Sequence, residues 1–196
     1  MRYLKMLGAA AVVAAALTAF VGAGTASATA LYSGATKLGA GTEIQATLSG
    51  SATLTTTEGT VLHTCTGGEF KGKTTNAGGA AETVKGTVEK SGLTWTNCTV
   101  PTSTISGGEF EWHWLSALLH GTLTIRGITI TIASPIFGTC TFGGSDWGTV
   151  TGSTTTNAVI DVNSVLTRSS GLCPSTAKWV GTYKVTKPVP FHVTAS

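Results

Sequence analysis

The four cysteines stand at two equal intervals, and this spacing restricts how the chain can fold. Cys65 and Cys98 are separated by 33 positions, and so are Cys140 and Cys173. The first member of each pair lies in the triplet Thr-Cys-Thr. Four cysteines in an exported chain form two disulfides, for which three connectivities exist. The equal intervals favour the pairs Cys65–Cys98 and Cys140–Cys173.

The cysteine pairs also mark a repeat at an offset of 75 residues. The segment TLSGSATLTTTEGTVLHTCT, at 47–66, is echoed by TLTIRGITITIASPIFGTCT at 122–141. This similarity predicts two pseudo-repeat halves, approximately 45–110 and 120–186. We expect both halves to lie in a single domain that covers residues 29–196, because a chain of this length commonly builds one core.

Residues 1–28 have the pattern of a secretory signal peptide. Arg2 and Lys5 precede an apolar run, and small residues follow it and end in Ala26-Ser27-Ala28. Such a run is short for a bilayer span, and small side chains suit a signal peptidase. The pattern predicts cleavage after Ala28 and an extracellular location, with no membrane-integral segment in the mature chain.

Short alternating runs dominate the rest of the chain and predict an all-β fold. Examples are EIQATL, ETVKGTVE and EFEWHW, separated by clusters rich in Gly, Ser and Asn. This spacing is typical of an Ig-like, Greek-key β-sandwich. In GTLTIRGITITIAS the apolar residues change parity at Arg126-Gly127, which predicts a bulge or bend there. The segment 114–120 is predicted as one helical turn or a loop, and the glycines of the two GGEF motifs as turns.

The charge of the chain argues against nucleic acid as a partner. Removing Arg2 and Lys5 from the 12 basic residues leaves 10 against 9 acidic ones, so the mature net charge is +1. A nucleic-acid binder needs a basic patch that displaces counterions from phosphates, and these charges are sparse and mixed in sign. Charged residues make up only 11% of the chain, and Gly, Ser and Thr are abundant, so the surface is rich in hydroxyl groups.

The segment SGGEFEWHW, at 106–114, carries the candidate ligand-binding residues. On a strand, Phe110, Trp112 and Trp114 share one face, and the glutamates and His113 share the other. The aromatic row is either part of the core or a platform for sugar rings, and we expect the core. Ligand contacts, if present, are expected from four residues of this strand: Glu111, Trp112, His113 and Trp114.

Enzymatic residues are not expected in this chain. Glu109 and Glu111 have a spacing that would permit acid and base catalysis on a glycosidic bond, but spacing alone is weak evidence, and a solvated outer face is the expected role. The chain lacks the GxSxG motif of many hydrolases, and oxidised cysteines are not nucleophiles. His63 with Cys65 lacks the paired short spacing of strong zinc sites. We therefore expect no catalytic residue, no metal and no cofactor.

Two longer segments carry a resemblance to a known group. GTVEKSGLTWTNCT, at 86–99, and LTRSSGLCPSTAKWVGTYKVTKPVPFHV, at 166–193, are similar to uncharacterised secreted β-rich proteins of actinobacteria. The resemblance implies export, a β-sandwich and paired disulfides, and it implies no activity. Where that group often has a short LPW turn, this chain has EFEWHWLSALLH instead.

The sequence thus predicts a non-catalytic secreted or envelope-associated β-sandwich that acts in binding, adhesion or structure. A polysaccharide or the envelope surface is its expected partner, and self-association is a further expectation because the strands carry few charges. Two alternatives stay open at this point. One is an envelope-embedded β-barrel or pore, and the other is a secreted carbohydrate-active hydrolase that uses Glu109 or Glu111.

Overall fold

The computed structural model describes residues 28–105, 108–115, 119–145 and 148–196. The regular secondary structure of these ranges is entirely β-strand, which confirms the all-β prediction. Residues 1–27 of the predicted signal peptide and residues 116–118 of the predicted helical turn lie outside these ranges. Within them, no helix is long and apolar enough to cross a membrane.

The strands are numbered in chain order. The first eight are β1 (Ala30–Ser33), β2 (Thr36–Lys37), β3 (Glu43–Leu48), β4 (Ala52–Thr55), β5 (Val61–Thr74), β6 (Val84–Cys98), β7 (Thr102–Ile105) and β8 (Glu109–Trp114). The remaining seven are β9 (His120–Arg126), β10 (Ile128–Ser134), β11 (Gly138–Gly144), β12 (Gly148–Thr151), β13 (Val159–Ser170), β14 (Thr176–Lys187) and β15 (His192–Thr194).

Twelve strands form one sheet, and the same order of strands occurs in both halves of the chain. In the first half, β3 and β4 pair with β5, β5 pairs with β6, and β6 pairs with β8. In the second half, β9 pairs with β12, and β10 pairs with β11. Both β12 and β11 pair with β13, and β13 pairs with β14. Some strands that follow each other in the chain are neighbours in the sheet, such as β5 and β6, whereas others are not: β14 lies between β3 and β4, and β7 crosses to pair with β10.

The two halves join at both ends, so the sheet folds over on itself around one core. β8 pairs with β9, and β14 pairs back with β3 and β4. Parts of the sheet that are far apart in the ladder then face each other, as the layers of a sandwich do. The Trp95 ring on β6 lies 4.4 Å from the Trp179 ring on β14, centroid to centroid, and its indole N–H donates to the Tyr183 hydroxyl over 2.8 Å.

The parity change predicted at Arg126-Gly127 is confirmed as a bend. Gly127 has φ of +74°, and it separates β9 from β10. Glycine adopts this left-handed conformation without steric cost. Because the bend shifts the alternation by one residue, Ile125 and Ile128 are both buried although they differ in parity. Gly50, with φ of +87°, lies at the corresponding break between β3 and β4.

A separate three-stranded sheet, in the order β15-β1-β2, packs against this body. Leu31 and Val193 of this sheet, and Phe191 directly before β15, are fully buried and belong to the common core. The Phe191 ring lies 5.2 Å from the ring of Trp112, between centroids. The first and last strands of the described chain are thereby paired with each other and attached to the main sheet.

Glycines within the strands make room for aromatic rings, and this corrects the prediction that the first GGEF motif forms a turn. Gly67 and Gly68 lie inside β5. A Cβ on Gly68 would lie 2.7 Å from Cδ1 of Trp95, and a Cβ on Gly86 would overlap the ring of Phe110 and the Lys73 carbonyl oxygen. The absence of side chains here lets the rings approach the neighbouring backbone closely.

We expect Gly86→Ala to destabilise the protein by about 1–3 kcal/mol, because Phe110 must leave its buried position to admit a methyl group. Gly39→Ala is the matched control, since a Cβ at Gly39 meets nothing within 4 Å. Urea unfolding of both variants measures the difference. Equal midpoints for Gly86→Ala and Gly39→Ala would show that the ring does not lie over Gly86.

Both predicted disulfides are confirmed. Cys65 on β5 is bonded to Cys98, which lies directly opposite it at the end of β6. Cys140 on β11 is bonded to Cys173, which follows β13. Each bridge therefore links neighbouring strands within one half of the chain.

Candidate functional site

The structure divides the candidate strand β8 into a buried face and an outer face. Phe110 is 1% exposed and Trp112 is 0% exposed, so both belong to the core. Phe110 makes edge contacts with Phe70 and with Trp112, at centroid distances of 5.7 and 6.3 Å. No ligand on the surface can stack on a ring buried in this way, and Trp112 is therefore removed from the candidate site.

Trp114 is half-buried at the end of β8 and packs against the core. Its backbone N–H donates to the hydroxyl of Thr29 over 3.0 Å. The indole Nε1 is buried and has no hydrogen-bond partner among the described residues. Trp114 is thus held mainly by packing and does not form an exposed row with Trp112.

Glu111 and His113 lie on the outer face of β8, as the alternation predicted. The Glu111 carboxylate accepts a hydrogen bond from the Thr83 hydroxyl. The same carboxylate lies 3.6 Å from Nε2 of His113 and 3.5 Å from a guanidinium nitrogen of Arg126. Glu109 is exposed two residues earlier. A small pocket of about 170 Å³ on the outer face is bordered by Lys85, Glu109, Glu111 and Arg126.

The surroundings of Glu111 favour its ionised form. The hydrogen bond from Thr83 lowers the pKa of the Glu111 carboxyl below its ordinary value, and the charges of His113, Lys85 and Arg126 act in the same direction. Partial burial opposes this shift but does not cancel it. Glu111 is therefore a carboxylate at neutral pH, which can accept hydrogen bonds and cannot donate a proton.

We expect Thr83→Val to raise the pKa of Glu111, because the variant removes the hydrogen bond that contributes most to lowering it. A group with a depressed pKa in the folded state stabilises the protein above its unfolded pKa near 4.5, and this contribution is lost as pH falls through the folded value. The variant should lose that acid-sensitive part of its stability. Carboxyl chemical shifts followed by NMR between pH 2 and 7 would measure the change.

Thr124→Val is the control for this titration. Thr124 lies directly opposite Glu111 on β9, so the substitution changes a neighbouring hydroxyl without touching the Thr83 hydrogen bond. The pKa of Glu111 should stay close to that of the parent protein. If Thr83→Val left the titration unchanged, the assignment of the shift to Thr83 would be wrong.

A row of polar side chains runs from β8 across the outer face of the sheet. Residues directly opposite one another on adjacent strands place five positions in line, and we call them the polar row: His113, Thr122, Thr149, Asp161 and Thr182. Thr182 donates a hydrogen bond of 2.8 Å to Oδ1 of Asp161. The row spans five strands about 4.8 Å apart, or roughly 19 Å in all.

The middle of the polar row lies in a groove of about 490 Å³. Thr122, Thr149 and Asp161 line it, and Thr124 and Asn163 contribute from the next positions of their strands. The lining offers hydroxyl groups, one carboxylate and one amide, which together both donate and accept hydrogen bonds.

Sequence reasoning found one end of this surface and missed the rest. Glu111 and His113 were named, whereas Asp161 and Asn163 were not. The alternation of apolar and polar residues in VIDVN, at 159–163, indicates that Asp161 and Asn163 face outward. Only the pairing of β13 with β12 and β14 shows which threonines lie beside them.

Comparisons of the chain with protein-family models, with curated proteins and with solved structures found no match. The functional interpretation therefore depends on the geometry described above.

Proposed function

We propose that this chain is a non-catalytic secreted or envelope-associated β-sandwich protein that binds a polysaccharide through the polar row. The observation that carries the proposal is the groove of about 490 Å³ on the outer face, lined by Thr122, Thr149 and Asp161. The groove lies in the middle of a polar line that is longer than a single sugar ring.

The chemistry of the polar row and of the groove at its middle fits a polyhydroxylated polymer. Sugar hydroxyls donate to carboxylates such as Asp161, and they accept from hydroxyl and amide groups such as those of Thr149 and Asn163. The Thr182 hydroxyl holds the Asp161 carboxylate in place, which reduces the entropy lost on binding. A line of such groups on a rigid sheet suits an extended chain better than a compact small molecule.

The electrostatics of β8 support binding over hydrolysis. A glycosidase needs one carboxylic acid whose pKa is raised so that it can protonate the leaving oxygen. The pKa of Glu111 is instead lowered by its neighbours. A lowered pKa suits a group that accepts hydrogen bonds from a ligand, and it does not suit the general acid of a hydrolase.

Export is the second part of the proposal. Two disulfides within one chain are typical of proteins that fold in an oxidising compartment. The leader-like sequence of residues 1–28 and the resemblance to secreted actinobacterial proteins support the same location.

Retention of the mature chain on purified polysaccharides and on isolated bacterial cell walls tests the binding role. We expect the double variant Thr149→Val with Asp161→Asn to weaken retention by about tenfold or more, since hydrogen bonds to a charged group contribute about 1.5–3 kcal/mol. Retention by no polymer in the set would contradict the proposal.

Thr167→Val is the matched control. Thr167 is exposed on β13, like Asp161, but it lies beyond the groove. Like Thr149→Val, this substitution removes a threonine hydroxyl from the outer face of the sheet. Binding of the polysaccharide should be unchanged. Equal losses in the control and in the double variant would show that the groove is not the binding site.

A further inference from the structure

A buried histidine stands against one of the two disulfides. His63 and Cys65 are two residues apart on β5, and both side chains are fully buried. The Nε2 atom of His63 lies 3.1 Å from Sγ of Cys65. Cys98 completes the group from the end of β6, and the three ligand-type atoms all lie within 4.8 Å of one another.

We propose that the reduced Cys65–Cys98 pair and His63 form a binding site for a thiophilic cation of the Zn²⁺ or Cu⁺ class. Two thiolates and one imidazole are ligands that these ions prefer. Ligand atoms in a tetrahedral zinc site are about 3.3–3.8 Å apart, which is close to the present separation of Nε2 and Sγ of Cys65. A solvent molecule or an external ligand would take the fourth position.

The second disulfide provides an internal comparison. Cys140, like Cys65, is flanked by threonines, but the position two residues before it is Gly138. Gly138 is exposed and has φ of +71°, and a Cβ built there meets no atom within 4 Å. The second half of the chain thus has the same cysteine spacing without an imidazole, and the proposal assigns the metal site to the first half alone.

Reduction of the first bridge is the step that opens the site. A dithiol reductant transfers two electrons and two protons to the disulfide: the Cys65–Cys98 bond breaks, two thiols form, and the reductant closes its own disulfide. Binding of Zn²⁺ then releases the two thiol protons as both sulfurs bind the ion. Cys98 is only partly buried, whereas Cys140 and Cys173 are both buried, so the first bridge is the more accessible to a reductant.

The test uses the folded mature chain, treated with a phosphine reductant that does not itself supply thiols. We expect two thiols per chain to appear first, at Cys65 and Cys98, as located by alkylation and peptide mapping. One equivalent of Co²⁺, a spectroscopic substitute for Zn²⁺, should then produce a thiolate-to-cobalt charge-transfer band. Added Zn²⁺ should displace the cobalt and remove the band.

Two sets of variants locate the ligands. Cys140→Ser with Cys173→Ser should keep the band, and Cys65→Ser with Cys98→Ser should abolish it. His63→Gln should weaken metal binding by at least about tenfold, because loss of a ligand costs no less than loss of a supporting contact. A band of equal strength from both cysteine pairs, or one unaffected by His63→Gln, would overturn the proposal.

Since His63 is buried, its variant could fail to fold, and a measurement on the parent chain covers that outcome. The imidazole ring signals of the four histidines can be followed by NMR as Zn²⁺ is added to the reduced protein. The His63 signal should move with one equivalent of metal. Movement of the other three signals only, or initial reduction of Cys140–Cys173, would also overturn the proposal.

Discussion

Replacing the cysteines of one bridge with serine is expected to lower the free energy of unfolding by about 3–4 kcal/mol. Each bridge joins residues 33 positions apart. In the chain-entropy model, a crosslink across a loop of this length stabilises the folded state by that amount, because it restricts the unfolded chain. Removing both bridges would take roughly 7 kcal/mol from a total that is about 5–15 kcal/mol for most domains. Urea unfolding at 25 °C measures the losses.

The equal loop lengths supply the control for this prediction. The pair Cys65→Ser with Cys98→Ser and the pair Cys140→Ser with Cys173→Ser should lose similar stability, to within about 1 kcal/mol. If either double variant were as stable as the parent protein, the bridge that it lacks would not constrain the unfolded chain as described.

Trp179→Ala should destabilise the protein by about 3–5 kcal/mol, the range found for large aromatic residues in cores. Trp179 is 0% exposed, and its ring lies 4.4 Å from that of Trp95 across the core. Truncation therefore removes buried apolar surface and leaves a cavity between opposite parts of the sheet. Denaturant unfolding, with tryptophan fluorescence as the probe, measures the change.

Val180→Ala tests whether this loss comes from the core. Val180 follows Trp179 on β14 and is 39% exposed on the other face of the strand. Its substitution should cost less than about 1 kcal/mol, as is usual for surface positions. Similar costs at positions 179 and 180 would contradict the assignment of inner and outer faces on β14.

The local sequence was sufficient to predict several parts of the fold. Alternation of apolar and polar residues indicated strands, and the parity change at Arg126-Gly127 indicated the bend between β9 and β10. Equal cysteine spacing indicated both bridges. The alternation and the parity change are local, and the cysteine pairing follows from comparing two intervals within the chain. These features can therefore be predicted without knowing which strands pair.

The remaining features depend on pairing and could not be predicted. Alternation groups Phe110, Trp112 and Trp114 on the side of β8 that was expected to face the core, but it does not show how deeply each ring is buried. Trp112 proved to be buried, whereas Trp114 at the strand end is only half-buried. The polar row likewise joins residues from five strands, and its alignment follows from the ladder registers alone.

His63 shows the same limit at the proposed metal site. In the sequence, His63 and Cys65 lack a second pair of ligands at short spacing, and Cys98 is more than thirty positions away. The register of β5 with β6 places Cys98 directly opposite Cys65. Only this pairing brings the histidine and both sulfurs together.

The central claim is that two halves of one chain, each tied by its own bridge, join into a single all-β body. Proteolysis of the unreduced mature protein, followed by mass spectrometry of the disulfide-linked peptides, tests it most directly. The structure predicts one linked pair that contains Cys65 with Cys98 and another that contains Cys140 with Cys173. A bridge between the halves, such as Cys65 with Cys140, or four free thiols in the native protein, would contradict it.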